Sequence, residues 1–145
     1  MRTKAMSCAL PLLALGCVPL TAQSGAEAKN QKLVEDWWRE VVVAGHVELA
    51  PKYMADTYVE HDPNINGGRA EFVAYYGKNG AKPILKVLPM PPAKVLAKGD
   101  RVALVFAHPE KDPKTSTAYE YFTYEVVRVA DGKIQEHWDS ARKTE

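Results

Sequence analysis

Cysteine is nearly missing from this sequence: the 145 residues include only Cys8 and Cys17, both close to the amino terminus. The rest of the chain therefore has no disulfide framework and no thiol nucleophile. No His-x-x-x-His pair replaces them, so the sequence predicts no metal site. The sequence also has no large excess of charge of either sign, since its formal net charge is +1. This balance gives no electrostatic reason to expect a nucleic-acid partner.

A hydrophobic run long enough to span a membrane is also missing. The longest mostly apolar stretch, residues 9–20, is too short for a transmembrane helix. It follows Arg2 and Lys4 and precedes small residues, an order that is typical of a signal peptide. We therefore expect residues 1–22 to be a signal peptide and the protein to be exported, to the bacterial periplasm or beyond.

Two details of this leader stay open. Cleavage is expected after Ala22 or, alternatively, after Ala26. Gly16 before Cys17 also permits a lipoprotein signal with a lipid anchor on Cys17. We rank lipidation second, because Ala14 stands where such signals prefer a larger aliphatic residue.

Beyond the leader, the hydrophobic pattern changes from a helical period to a period of two. Such an order, with helices first and an antiparallel sheet after them, predicts an α+β fold. Asn30 is the predicted N-cap of the first helix, which contains Trp37 and Trp38 as core residues, with Trp38 nearer to a pocket. The predicted helices are residues 31–43, 47–55 and 69–77, and the predicted strands are 93–97, 101–108, 117–129 and 133–139.

A turn with unusual chemistry lies between the second and third predicted helices. Residues 58–69 begin as a strand, place His61 next to Asp62, and then turn at Pro63 and at the Asn-Gly-Gly sequence of residues 66–68. Alternation along the strand predicts that His61 points inward with Val59, while Tyr58 and Glu60 point outward. Asp62 is then expected to be a turn residue.

Three segments resemble the SnoaL-like branch of the nuclear transport factor 2-like superfamily. Residues 58–64 resemble its Tyr-Ile-Gln-His-Asn-Pro segment, and residues 68–76 look like its Gly-Arg/Lys-Glu helix. Residues 125–139 are similar to its Arg-Val-x-Asp-Gly-Lys-Ile-x-Glu-His-Trp-Asp ending. Each segment is a weak signal, but all three occur in the family order. We expect one SnoaL-like domain over residues 30–141.

The resemblance implies a cone-shaped fold, in which a curved mixed or antiparallel sheet and three amino-terminal helices enclose a pocket. It also implies general acid–base chemistry, of aldol, isomerase or hydrolase type, on a small apolar carbonyl compound without a metal or organic cofactor. The fold alone does not fix a reaction. A non-catalytic carrier of a small apolar ligand is the alternative function, and pairing through the sheet into a homodimer is compatible with both.

The candidate site residues combine this resemblance with the strand pattern. Histidine side chains are suited to proton transfer because their ordinary pKa lies near neutral pH, and so are carboxylates on apolar strand faces. The expected catalytic residues are His61, His108, Glu125 and Asp139. The expected ligand-binding residues are Trp38, Asn64, Phe106, Tyr121, Glu136 and Trp138. His137, on the opposite side of the last strand from Trp138, is expected to be a surface or sheet-packing residue.

Overall fold

The computed structural model describes residues 23–144. The predicted signal peptide and the possible lipid anchor at Cys17 lie outside these residues. No helix within them is long and apolar enough to cross a membrane.

Helices occupy the first half of the described chain. The first, α1, is Gly25–Trp37, and a π-helical turn, Trp38–Val43, continues it. A 3₁₀ turn, Val47–Leu49, leads into the short α2, Ala50–Tyr53. The third helix, α3, is Arg69–Tyr76, followed by a 3₁₀ turn at Gly77–Asn79.

The first helix begins six residues before the predicted start, at Gly25 rather than Gln31. Its N-cap is Ser24 rather than Asn30, because Ser24 and Glu27 form a capping box. The Glu27 backbone N–H donates to Ser24 Oγ at 3.1 Å, and the Ser24 N–H donates to the Glu27 carboxylate at 2.8 Å. These two bonds satisfy backbone donors that the start of a helix otherwise leaves free.

Five strands form one sheet in the order β1-β5-β4-β3-β2. The β1–β5 pair is parallel and the other three pairs are antiparallel. The β4–β5 hairpin turns at Asp131 and Gly132, whose φ angles of 52° and 68° suit a type I′ turn. The strands are β1 Met54–Glu60, β2 Lys94–Lys98, β3 Arg101–Lys111, β4 Ala118–Ala130 and β5 Lys133–Asp139.

The helices pack against the inner face of this curved sheet, and their contact forms the core. Trp37 is fully buried there, and Trp38 is partly buried at its edge. Alternation on β3 is as predicted, with Val102, Leu104 and Phe106 buried on the inner face. The predicted α+β cone is therefore confirmed.

A β-bulge in β5 changes which of its side chains face inward. Arg128 pairs with Glu136 while the next residue, Val129, pairs with Ile134, so Gln135 is the extra residue. Ile134 and His137 are both fully buried as a result. Strict alternation would place His137 on the face opposite Ile134, but alternation does not hold across a bulge, so His137 is buried rather than at the surface.

The side chains of β1 face the opposite way from the prediction. Tyr58 and Glu60 are buried, whereas the side chain of His61 is 40% exposed. Glu60 pairs in register with His137, so both side chains lie on the inner face of the sheet. The period of two was predicted correctly, but its inward phase was inverted.

Candidate functional site

A cavity of about 400 Å³ opens between the π-helical turn, the inner face of the sheet and the loop before β2. Its walls are mostly apolar, and Glu125 is the one carboxylate among its lining residues. A volume of this order and an apolar wall with few polar groups are typical of small-molecule sites. The lining residues are Trp38, Val43, Leu88, Pro89, Met90, Phe106, His108, Thr123 and Glu125.

A larger and more open depression, of about 710 Å³, lies at the tip of the β3–β4 hairpin. None of the predicted site residues lines it. We therefore place the candidate site in the smaller cavity.

The π-helical turn lets two consecutive tryptophans serve different purposes. Trp37, at the end of α1, is buried in the core, and Trp38, the first residue of the turn, lines the cavity. The Trp38 ring packs on Phe106 with a centroid separation of 5.0 Å. Single π-helical turns are rare and frequently mark functional sites.

A chain of hydrogen bonds runs behind the cavity wall and ends at Glu125. His137 Nε2 lies 2.8 Å from Glu125 Oε2, and Nδ1 lies 2.9 Å from Glu60 Oε1. The Tyr58 hydroxyl donates to the second oxygen of Glu60 at 2.5 Å. Because ionised carboxylates only accept, both ring nitrogens must donate, and His137 is an imidazolium.

The pKa values of this chain follow from its contacts. Burial alone would lower the pKa of His137, but the hydrogen bonds that its ring donates to Glu125 and Glu60, together with their negative charges, raise it to about 9. Burial opposes ionisation of Glu60, but the hydrogen bond and charge of His137 hold the pKa of Glu60 below its usual range. The network therefore keeps its charges at neutral pH.

Asp139 lies beside this network, as the register partner of Glu125. Burial raises its pKa to about 6, against a hydrogen bond from the Ala141 backbone N–H, and the negative charges of Asp62 and Glu125 add to the rise. Its carboxyl group can thus exchange a proton near neutral pH. Burial likewise raises the pKa of Tyr76, and the negative charge of Glu125 adds to the rise.

His108 and Thr123 supply the polar groups on another part of the cavity wall. His108 Nε2 lies 2.9 Å from Thr123 Oγ1, and the imidazole stacks on Tyr121 at 4.7 Å. His108 and Tyr121 are register partners on β3 and β4. His108 and Glu125 both line this cavity.

Three predicted site residues lie on the outer face of the sheet instead. The His61 ring stacks on Trp138 at 4.8 Å, and its Nε2 is 3.8 Å from Glu136. Glu136 is itself paired with Arg128 at 2.6 Å. The bulge in β5 and the inverted phase of β1 explain this placement, which removes all three side chains from the cavity.

Asn64 has a structural position. Its side-chain amide donates to the Arg142 carbonyl at 3.0 Å, and the Thr144 backbone N–H donates to its Oδ1 at 2.8 Å. It ties the carboxy-terminal segment to the turn after β1 and does not line the cavity.

The sequence did not identify Glu60, His137 and Thr123 as site residues. The signal for Glu60 and His137 was present, because each is an ionisable residue in a strand that must bury one face. The bulge, which decides their direction, has no clear signature in the sequence. Within residues 23–144, no group of three or more histidine, cysteine or acidic residues has the geometry to hold a metal ion.

Solved structures share this arrangement of helices and sheet at low sequence identity. A candidate polyketide cyclase from Acidithiobacillus ferrooxidans is 20% identical, with 77% of this chain and 86% of that chain covered and a TM-score of 0.54. A candidate SnoaL-like polyketide cyclase from Jannaschia sp. CCS1 is 14% identical, with 83% and 91% covered and a TM-score of 0.56. An epoxide hydrolase from M. tuberculosis, described as LEH-like, is 13% identical, with 77% and 81% covered and a TM-score of 0.52. A comparison with curated proteins finds no significant match.

These structures show that the chain has their cone-shaped α+β fold. The family model of the SnoaL-like domain matches residues 34–137, which is most of the chain. The protein belongs to the SnoaL-like family. The matched segment ends at His137, so it includes every residue of the hydrogen-bond chain described above.

Proposed function

We propose that the protein is an acid–base enzyme that acts on a small apolar carbonyl compound without a bound cofactor. The observation that carries this proposal is the position of Glu125. Its carboxylate is the one acidic group in an apolar cavity wall. On the side away from the cavity it accepts a hydrogen bond from His137, which is bonded in turn to Glu60. The family and fold support the same class of activity.

In this proposal Glu125 is the general base. Oε2 accepts a hydrogen bond from His137, and the second oxygen takes a proton from the carbon next to the substrate carbonyl. His108 and Thr123 donate hydrogen bonds to the carbonyl oxygen as negative charge develops there. Return of the proton from Glu125 to a different carbon completes an isomerisation. In an aldol reaction the enolate carbon attacks a second carbonyl group, and the alkoxide that forms takes the proton from Glu125, which regenerates the base.

His137 and Glu60 are positioning residues in this scheme. His137 holds one orientation of the Glu125 carboxylate, and Glu60 offsets the imidazolium charge that would otherwise be buried alone. Because His137 and Glu60 are buried and the Glu125 side chain is only 15% exposed, solvent screens their interactions only weakly.

Proton abstraction can be tested without knowledge of the natural substrate. Tetralone, an apolar bicyclic ketone, is incubated with the protein in deuterated water, and the loss of its α-proton signal is followed by NMR. We expect exchange above the buffer rate, reduced about 100-fold or more by Glu125→Gln. Glu120→Gln, an exposed carboxylate on the same strand, is the matched control and should leave the rate unchanged.

The carrier function is the second candidate, because the cavity walls are largely apolar. A carrier would bind tetralone, measured by calorimetry, without any exchange above the buffer rate. That result would overturn the enzymatic proposal and support the carrier. Equal exchange rates for the native protein and Glu125→Gln would instead remove Glu125 from the mechanism.

We also propose that the protein forms a homodimer through the outer face of its sheet. Leu96, Phe122 and Tyr124 are exposed large side chains, and Val105 pairs with Tyr124 on the same face. An apolar surface of this kind marks interaction sites in soluble proteins. Light scattering should give twice the chain mass for the native protein and the chain mass for Tyr124→Lys. A native monomer at micromolar concentration would contradict this proposal.

Export with removal of residues 1–22 remains part of the proposal. Cleavage after Ala22 leaves the capping box of Ser24 and Glu27 intact, whereas cleavage after Ala26 removes Ser24 and the first two residues of α1. Mass spectrometry of the protein from the periplasm or medium of a bacterial host should therefore find Gln23 as the first residue. A chain that starts at Met1 or Glu27, or that carries lipid on Cys17, would contradict this expectation.

A further inference from the structure

The loop of residues 82–90, here called the apolar–basic loop, exposes side chains that proteins normally bury. Val87 is 78% exposed and Met90 is 50% exposed. Ile84 and Leu85 are exposed as well. Neighbouring exposed apolar side chains of this size mark a surface that is covered by a partner.

The two ends of this loop are fixed to the fold. The Lys82 backbone N–H donates to the Ala44 carbonyl at 2.7 Å, and His46 Nε2 lies 2.9 Å from the Lys82 carbonyl. Beyond the loop, the Ala93 N–H donates to the Val105 carbonyl at 2.7 Å. Pro83 and Pro89 restrict the backbone between these points. The exposed side chains are thus presented by a constrained segment.

The charge of the surrounding segment has one sign. Between Glu71 and Asp100 the sequence contains five lysines and no acidic residue, although the formal net charge of the whole chain is only +1. Lys82 and Lys86 belong to the loop itself, and both are exposed. Lysines beside exposed aliphatic side chains are typical of segments that bind the surface of anionic membranes.

The same loop forms one rim of the cavity. Leu88, Pro89 and Met90 line it, opposite Trp38 and Phe106. A surface that met the exposed side of the loop would therefore lie next to the mouth of an apolar cavity.

We propose that the apolar–basic loop docks on an anionic lipid surface and that the cavity exchanges its apolar ligand with the lipid. Leu85 and Val87 enter the interface between head groups and acyl chains, while Lys82 and Lys86 contact lipid phosphates. A second copy of the chain fits this loop less well, because a two-fold contact would bring Lys82 and Lys86 of both copies together. The inference rests on the proposed function only in that the cavity takes an apolar molecule.

Vesicle co-sedimentation of the full chain tests this proposal. We expect binding to vesicles of phosphatidylcholine and phosphatidylglycerol and at least tenfold weaker binding to phosphatidylcholine alone. All variants keep residues 1–22, so any contribution of that segment is the same in each. No binding of the native protein to the anionic vesicles would overturn the proposal.

Two pairs of variants separate the apolar from the charged contribution. Leu85→Ser with Val87→Ser, and Lys82→Glu with Lys86→Glu, should each weaken binding to anionic vesicles by more than about tenfold. The matched controls are Val59→Ser, which changes an exposed aliphatic residue on β1, and Lys111→Glu with Lys114→Glu, near the tip of the β3–β4 hairpin. Loop variants that bind like the native protein, or controls that lose as much binding, would overturn the proposal.

Two readouts distinguish this inference from the other proposals. Light scattering without vesicles should give the same mass for the native protein and the serine variants, and a change of mass would assign the loop to contacts between copies. Exchange of tetralone in solution should be the same in the native protein and the serine variants. Vesicle binding without any exchange would leave this inference standing and contradict only the enzymatic function.

Discussion

His137 Nε2 and Glu125 Oε2 lie 2.8 Å apart, and this contact joins a buried charge network to the wall of the cavity. The other ring nitrogen of His137 lies 2.9 Å from Glu60. One imidazolium thus separates two carboxylates, of which only Glu125 lines the cavity. This arrangement supplies a fixed, charged base in an apolar environment, and several measurable consequences follow from it.

Loss of the imidazolium should strongly destabilise the fold. His137→Gln leaves the buried carboxylates of Glu60 and Glu125 without their shared cation, which should lower the free energy of unfolding by about 3–5 kcal/mol. Urea denaturation followed by circular dichroism measures this change. His61→Gln is the matched control, with an expected loss below about 1 kcal/mol, because that side chain is partly exposed on the outer face. Similar losses in the two variants would contradict the assigned orientations.

Stability should be greatest at mildly acidic pH. The pKa of His137 is raised from 6.5 to about 9, so its contribution is complete below pH 6.5 and is lost as the pH rises through 9. The pKa of Glu60 is lowered from 4.5, so its contribution is present above pH 4.5 and is lost as the pH falls through the lower, folded-state value. The pKa of Asp139 is raised from its ordinary 3.8 to about 6, so this group lowers the stability of the fold as the pH rises through that range.

The melting temperature should therefore peak between about pH 4.5 and 6.5 and fall on both sides. Asp139→Asn should remove the loss of stability that the raised pKa of Asp139 causes as the pH rises from 3.8 to about 6. A thermal-shift series from pH 3 to pH 10 checks both statements. A maximum above pH 8 would contradict the account of His137.

The two adjacent tryptophans should respond differently to truncation. Trp37→Ala removes a fully buried ring and should lower the free energy of unfolding by about 3–5 kcal/mol. Trp38→Ala should cost less stability but weaken tetralone binding by about tenfold or more, because Trp38 lines the cavity with Phe106. Calorimetry together with denaturation separates the two effects. A loss of affinity without loss of stability in Trp37→Ala would contradict the assignment.

The fold could be predicted from the sequence because its signals are local and consistent. The change from a helical period to a period of two gave the order of elements, and Asp131-Gly132 gave the last hairpin. On β3, the inward direction of Phe106 and His108 follows from simple alternation, so the placement of these two residues was predictable. The inward direction of Glu125 follows from alternation along β4 in the same way.

The remaining site residues depend on tertiary pairing. Glu60 and His61 are neighbours in sequence, and only the parallel pairing of β1 with β5 decides which of them is buried. The bulge at Gln135 then brings His137 to the inner face and Trp138 to the outer face. Neither decision is local, so composition and period could not reveal that the buried histidine is His137 rather than His61.

The charge state of His137 tests the central claim most directly, and it needs no substrate. Nitrogen-15 NMR of labelled protein reports the protonation of both ring nitrogens, with His137→Gln used to assign the signals. Two protonated nitrogens should persist through neutral pH, with titration near pH 9. A neutral ring at pH 7.5, or titration near the ordinary pKa of 6.5, would contradict the hydrogen-bond chain from Glu60 through His137 to Glu125.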